Sequence, residues 1–262
     1  MLLQTPLLNE KEKPSLTHLS KAPFVEWSKL EPKLKKEWKP GDHVTLIGPT
    51  GSGKTHMALA LARICKYSLV IATKRRDPLL ESLIKKHVVI SDPKSMEEMA
   101  KTTDGVPINR RLMFWPQFGP KVSNEERIKL QAEYIRFALD WAEKTENWAI
   151  VCDELMWVSR NLRLERELEA VWFQGRTQGV SLIGAAQRPT HVPRLAYSQA
   201  TYFFIWQTAD RQDLERLRDI SAGFPRGMID KGTVGLNWDK HECLFVDTKK
   251  RQICRTIGPE KL

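Results

Sequence analysis

The 262-residue chain is poor in the residues that staple small folds. It holds four cysteines, Cys65, Cys152, Cys243 and Cys254, and no two are spaced C-x-x-C. No histidine joins them at zinc spacing, so a zinc ribbon and a disulfide framework are excluded. Cys65 and Cys152 lie in apolar runs, where a free thiol packs as a small hydrophobe. That usage fits a reducing, cytoplasmic compartment. No apolar stretch approaches the ~18 residues that a spanning helix needs. Met1 to Leu8 lacks a basic start and a long apolar core, so no secretory leader is expected. Internal repeats and low-complexity tracts are absent. Acidic side chains are the minority, 32 against 42 Lys and Arg, which leaves a net charge of +10. The surplus points to a polyanionic partner or to a solubilising surface. Hydrophobic residues are 41% and charged residues 28%. That balance excludes collagen and pervasive disorder, and the length suits one large domain or two small ones.

What is present is an alternation of short apolar runs and helical patterns. Residues 1 to about 24 are polar and broken by Pro6, Pro14 and Pro23; they read as an arm. Trp27, Leu30, Leu34 and Trp38 have helix-like spacing in a lead-in that ends near residue 40. Strand runs follow at 44–47, 68–72, 87–90, 112–115, 148–152, 180–186 and 201–206. Between them lie helical patterns at 55–66, 78–86, 123–146, 161–175 and 209–219. The pattern at 161–175 is expected to close at Gly175. Ser123 is placed to cap the long helix, with Glu125 and Glu126 in its first turn. Continuous rather than alternating apolar strands predict a mainly parallel sheet with helices on both faces. The division expected is an arm and lead-in helix at 1–40, a core at 41–225, and strands with a tail at 226–262.

One loop carries the strongest chemistry. Gly48-Pro49-Thr50-Gly51-Ser52-Gly53-Lys54-Thr55 fits G-x-x-x-x-G-K-[ST], between an apolar strand and a helix that continues through His56. Glycines let backbone N–H groups wrap a phosphate, and the helix N-terminus adds free donors and partial positive charge. Lys54 supplies a point charge for the β- and γ-phosphates of ATP, and Thr55 a hydroxyl for Mg²⁺.

Asp153 and Glu154 directly follow the apolar run Trp148 to Cys152. At such a strand end an aspartate suits metal holding and the adjacent glutamate suits activation of water. A hydrolytic glutamate argues for a motor or switch and against a kinase. Gln187 ends the next strand, in Ala185-Ala186-Gln187-Arg188-Pro189, where its amide would sense a γ-phosphate or its water; a plain strand-end hydrogen bond is the alternative. Arg176 and Arg211 sit at exposed helix ends, positioned either to project into a neighbouring subunit or to serve as surface charge.

Gly175-Arg176-Thr177-Gln178-Gly179-Val180-Ser181-Leu182, followed by Ala186-Gln187-Arg188-Pro189, resembles the R-x-x-G-[IV]-x-L … Q-R-P signature of the FtsK–HerA family of DNA-pumping ATPases. The resemblance covers about residues 43–220 and includes the order of the motifs. It implies a RecA-like P-loop core, a homo-oligomeric ring (commonly a hexamer), ATP hydrolysis at subunit interfaces, and translocation of double-stranded DNA. Under it Lys54 and Thr55 bind phosphate and Mg²⁺, Asp153 holds the metal, and Glu154 activates water. Gln187 becomes the sensor, and Arg176 and Arg211 the candidates for reaching a neighbour's site. Membrane helices, a winged-helix tail and a barrel ahead of the phosphate loop, known in larger members, are not expected from this sequence. A minimal motor of this kind is similar to viral and phage packaging ATPases, acting in the host cytoplasm at a capsid portal, or to DNA-transfer ATPases at a transfer apparatus.

Such a pump grips DNA through its phosphates, which Lys and Arg serve without reading sequence. The best-placed cluster is Lys74-Arg75-Arg76, a loop at the carboxyl end of a strand. Arg110-Arg111 and the series Arg160, Arg163 and Arg166 are weaker, since interleaved glutamates make the latter a salt-bridged surface. Two other functions fit less well: an assembly or secretion ATPase of the filamentous-phage type, which moves protein, and a non-motor P-loop regulatory protein.

Overall fold

The computed structural model describes residues 22–99, 102–103, 106–107, 109–220, 224 and 227–262. The expected arm over residues 1–21 lies outside the described residues. Nine strands form one sheet: β1 (His43–Ile47), β2 (Tyr67–Ile71), β3 (Val88–Ile90), β4 (Arg111–Phe114), β5 (Trp148–Cys152), β6 (Ser181–Ala186), β7 (Ala200–Trp206), β8 (Glu242–Asp247) and β9 (Gln252–Ile257). The order across the sheet is β9-β8-β7-β1-β6-β5-β2-β4-β3. The run from β7 to β3 is parallel, and β8 and β9 close one side antiparallel. The helices are α1 (Trp27–Glu37), α2 (Lys54–Ile64), α3 (Pro78–Leu83), α4 (Pro93–Met99), α5 (Asn124–Thr145), α6 (Glu165–Gln178), α7 (Arg194–Gln199), α8 (Arg211–Leu217) and α9 (Met228–Thr233).

Alternation along each strand splits the core into two layers. In β5, Trp148, Ile150 and Cys152 join the layer under α5, α6 and α7, while Ala149 and Val151 join the layer under α1, α2 and α3. Every residue of β1, β2, β5 and β6 is buried. This is why these segments read as continuous apolar runs. Each Leu, Ile or Val so enclosed contributes ~1.5–3 kcal/mol. The Ser123 hydroxyl accepts from Glu126 N at 3.2 Å and caps α5 as its sequence predicts.

Two differences from the sequence reading have clear causes. Helix α6 does not stop at Gly175 but runs to Gln178, and Gly179 ends it in the left-handed region at φ 68°. Gly175 serves packing instead. A Cβ there would lie 2.4 Å from the Val180 carbonyl oxygen and 2.9 Å from His43 Cε1. The last strands are not an appendage, because β8 and β9 extend the main sheet. The outer edge of β9 is paired in turn by residues 23–25: Val25 N donates to Arg255 O, and Arg255 N to Pro23 O, each at 2.8 Å. Exposed strand edges invite pairing with other chains, and this segment covers that one.

From β1 the chain crosses to β2 on one side, and β7 lies on the other side of β1. Such a reversal opens a crevice at the carboxyl ends of the strands, where this architecture places ligands.

Candidate active site

The loop after β1 turns through Gly51 at φ 82° and Gly53 at φ 98°, conformations that favour glycine. Gly48 is required for a different reason: a Cβ there would lie 2.7 Å from Trp206 Cβ. Lys54 is 8% exposed, and its Nζ donates to Pro49 O at 2.9 Å. Burial lowers its pKa from the ordinary lysine value, against the pull of Asp153 and Glu154. Lys54 is the first residue of α2, so the loop leads straight into free helix N–H groups.

The strand order brings the acid pair to this loop across β6. Thr55 Oγ1 donates to Asp153 Oδ1 at 2.8 Å. Burial raises the Asp153 pKa, opposed by that hydrogen bond and by Lys74 and Lys54. Gln187, at the end of the intervening β6, donates from Nε2 to Glu154 Oε2 at 3.5 Å, the outer limit of such a bond. These groups share a cleft of about 840 Å³ lined by Thr50 to His56, Lys74, Asp153, Glu154 and Gln187.

Lys74 is placed differently from its neighbours Arg75 and Arg76. Its Nζ lies 3.1 Å from Glu154 Oε1, 3.6 Å from Asp153 Oδ2 and 3.7 Å from Asp77 Oδ2. Burial acts to lower its pKa, but the three carboxylates outweigh it and hold the ammonium above its ordinary value. The residue expected to contact DNA is therefore the counter-ion of the acid pair. Arg75 and Arg76 are exposed, and Arg76 pairs with Glu81 at 3.3 Å.

Neither Arg176 nor Arg211 lines this cleft. Arg176 is exposed at the end of α6, and its backbone rests on Gly41, which precedes β1 at the opposite sheet edge. Arg211 starts α8 and pairs with Glu215 at 3.3 Å.

Sequence reasoning missed the far wall of the cleft: Trp206, Lys240, His241 and the stretch Ile257-Gly258-Pro259-Glu260. Trp206 Nε1 donates to His241 O at 3.0 Å, tying the turn before β8 to the strand beside the phosphate loop. These residues follow no motif. The order β7, β8, β9 across the sheet brings them to the cleft, and that order is not written in the sequence.

Among the described residues no group of three or more His, Cys, Asp and Glu is arranged to hold a metal. A hydroxyl and a single carboxylate, Thr55 and Asp153, are hard oxygen donors. They fit Mg²⁺, which takes few protein ligands and completes its shell with phosphate and water. No helix among the described residues is long and apolar enough to cross a membrane.

No family model matches the sequence, and no curated protein matches it. Solved structures share its fold. The genome packaging NTPase B204 from Sulfolobus turreted icosahedral virus 2, in complex with sulfate, superposes with a TM-score of 0.59 at 13% identity. The match covers 86% of this chain and 100% of that one. The same protein in complex with ATP-γ-S gives 0.55 at 14% identity, covering 83% and 98%. VirB4 of Thermoanaerobacter pseudethanolicus gives 0.56 at 12% identity, covering 84% and 90%. The mainly parallel sheet with helices on both faces that the sequence predicts is thus the one observed, and the chain shares the fold of these structures.

Proposed function

We propose that this chain is an ATP-hydrolysing motor that translocates double-stranded DNA, for viral genome packaging or DNA transfer. The observation that carries the reading is the Thr55–Asp153 hydrogen bond at 2.8 Å, with Glu154 and Gln187 beside it in one cleft. In this reading Lys54 leaves the Pro49 carbonyl for the β- and γ-phosphates. Glu154 orients the attacking water and accepts its proton, and Gln187 holds the Glu154 carboxylate in place. Thr55 and Asp153 would hold Mg²⁺, which when bound neutralises phosphate charge. The genome packaging NTPase that shares the fold supports the assignment, as does the net charge of +10.

Arg176 lies at the edge opposite the chain's own cleft, so a catalytic role for it requires a second subunit. In the proposed homo-oligomeric ring, with a hexamer as the expected form and a capsid portal or transfer apparatus as its seat, Arg176 would reach a neighbour's cleft. Arg211 is the alternative donor. Residues 41–225 would form the motor core, with the lead-in helix and the last strands braced against it. Arg75 and Arg76 are the proposed DNA-phosphate contacts. ATP turnover measured with and without double-stranded DNA, over a salt series, tests the reading. Stimulation that fades with salt is expected; equal turnover with and without DNA at low salt overturns it.

A further inference from the structure

The loop that carries Lys74 is hung from side chains of two other segments. Trp115, just after β4, donates its indole Nε1–H to the Lys74 carbonyl at 2.7 Å. Gln131, on α5, donates from Nε2 to the Thr73 carbonyl at 2.7 Å. The same amide accepts, through Oε1, the indole N–H of Trp157 at 3.1 Å. Trp157 opens the π-helical turn Trp157–Asn161, three residues beyond Glu154. The contacts close a circuit: Glu154, the turn that follows it, the Gln131 amide, the Thr73–Lys74 backbone, and the Lys74 ammonium back on Glu154.

Gln131 is an unusual choice for its position. It is 6% exposed and shares the buried stripe of α5 with Ile135, Ala138, Leu139 and Ala142. An apolar side chain would pack there without the desolvation that a buried amide incurs. The amide is satisfied because it finds an acceptor on the Lys74 loop, the Thr73 carbonyl, and a donor on the turn after the acids, the Trp157 indole N–H. Single π-turns of this kind interrupt regular helices mostly where a site must be shaped.

We propose that Gln131 is a positioning residue that sets the distance between Lys74 and the Asp153–Glu154 pair. It touches neither phosphate nor water and acts through Lys74, so the inference rests on the hydrolytic reading of this site. A displacement of about 1 Å at reacting groups costs on the order of 10²-fold in rate. Gln131→Leu keeps the size and apolar packing of the position while cutting both bonds. Trp157→Phe keeps the ring and removes only the N–H.

Five proteins decide the matter: wild type, Gln131→Leu, Trp157→Phe, Lys74→Ala and the Gln131→Leu/Lys74→Ala double variant. Gln131→Leu is expected to lower kcat for ATP by about 10–100-fold with little change in KM, because the phosphate loop is untouched. Trp157→Phe is expected to lower kcat in the same way by a smaller factor. In the Lys74→Ala background, Gln131→Leu should add no more than about twofold. The same factor in both backgrounds, or kcat unchanged in Gln131→Leu and Trp157→Phe, overturns the proposal. A second readout needs no turnover: acylation of Lys74 by an amine reagent, followed by peptide mass spectrometry. Release from the carboxylates should make Lys74 react several-fold faster in Gln131→Leu and Trp157→Phe, and unchanged reactivity also overturns the proposal. If the wild type hydrolyses no ATP while Lys74 still reacts faster in both variants, the hydrolytic reading falls and the circuit stands.

Discussion

The Thr55 hydroxyl donates to Asp153 across an intervening strand, so two residues 98 positions apart in sequence meet at 2.8 Å. Thr55 belongs to the first turn of α2, and Asp153 directly follows β5. That contact turns two separate motifs into one site, and it gives the first test. Thr55→Ala removes the hydroxyl and should depress Mg²⁺-dependent ATP turnover strongly, by about 10²-fold or more. Thr55→Ser restores the donor and should recover most of it. Equal loss in both variants would show that the methyl group, not the hydroxyl, matters.

Glu154→Gln keeps the shape of the side chain and the reach of Gln187 but removes the proton acceptor. Turnover should fall by ~10²–10⁴-fold, with ATP affinity within a few-fold of wild type. Tight binding without hydrolysis is the expected outcome in an equilibrium binding assay run beside the turnover assay. Unchanged turnover would leave only a nucleotide-binding protein.

Arg75 and Arg76 stand in solvent beside Lys74 but outside the acid pair. Changing both to Ala should leave DNA-free turnover unaltered. DNA-stimulated turnover should weaken, and the salt slope of DNA binding should shrink by about one unit for each phosphate no longer neutralised. An unaltered slope would move the DNA surface elsewhere.

His43 supplies a test of the fold rather than the chemistry. It is fully buried, and its Nδ1 accepts from Leu182 N at 3.0 Å. Burial, with Arg176 adding to it, pushes its pKa down from 6.5 to about 4. On acidification the unfolded chain takes up this proton first, near 6.5, and the folded chain only near 4. Its contribution is therefore intact above pH 6.5 and lost as pH falls through that window, by up to about 3 kcal/mol. Urea unfolding across that window should show the slope in wild type and a shallower one in His43→Gln.

Gly175→Ala places a methyl group 2.4 Å from the Val180 carbonyl oxygen. Overpacking at a backbone contact of this kind costs ~1–3 kcal/mol or more, which calorimetry would record as a fall in Tm of several degrees.

Much of this site is legible in sequence because its signals are local. The phosphate loop, its strand and its helix are contiguous, and Asp153-Glu154 ends an apolar run whose burial dictates its composition. The helix boundary near Gly175 is not legible, since a glycine that admits His43 and one that caps a helix look alike in sequence. Lys74 reads as a DNA contact because it stands in a basic triplet. Its pairing with Glu154 depends on β2 lying next to β5, a fact of sheet order that composition does not carry. The far wall at Lys240, His241 and Ile257 to Glu260 is invisible in sequence for the same reason.

Strand β1 has two addresses. Its carboxyl end feeds the phosphate loop, and just ahead of its amino end comes Gly41, which lies hard against the backbone of Arg176. A Cβ on Gly41 would stand 2.5 Å from Arg176 Cα, so there is no slack at that junction. Close-packed interiors transmit displacement instead of absorbing it. A short, fully buried strand thus joins two rims of the molecule, with the phosphate loop at one and the Gly41–Arg176 contact at the other.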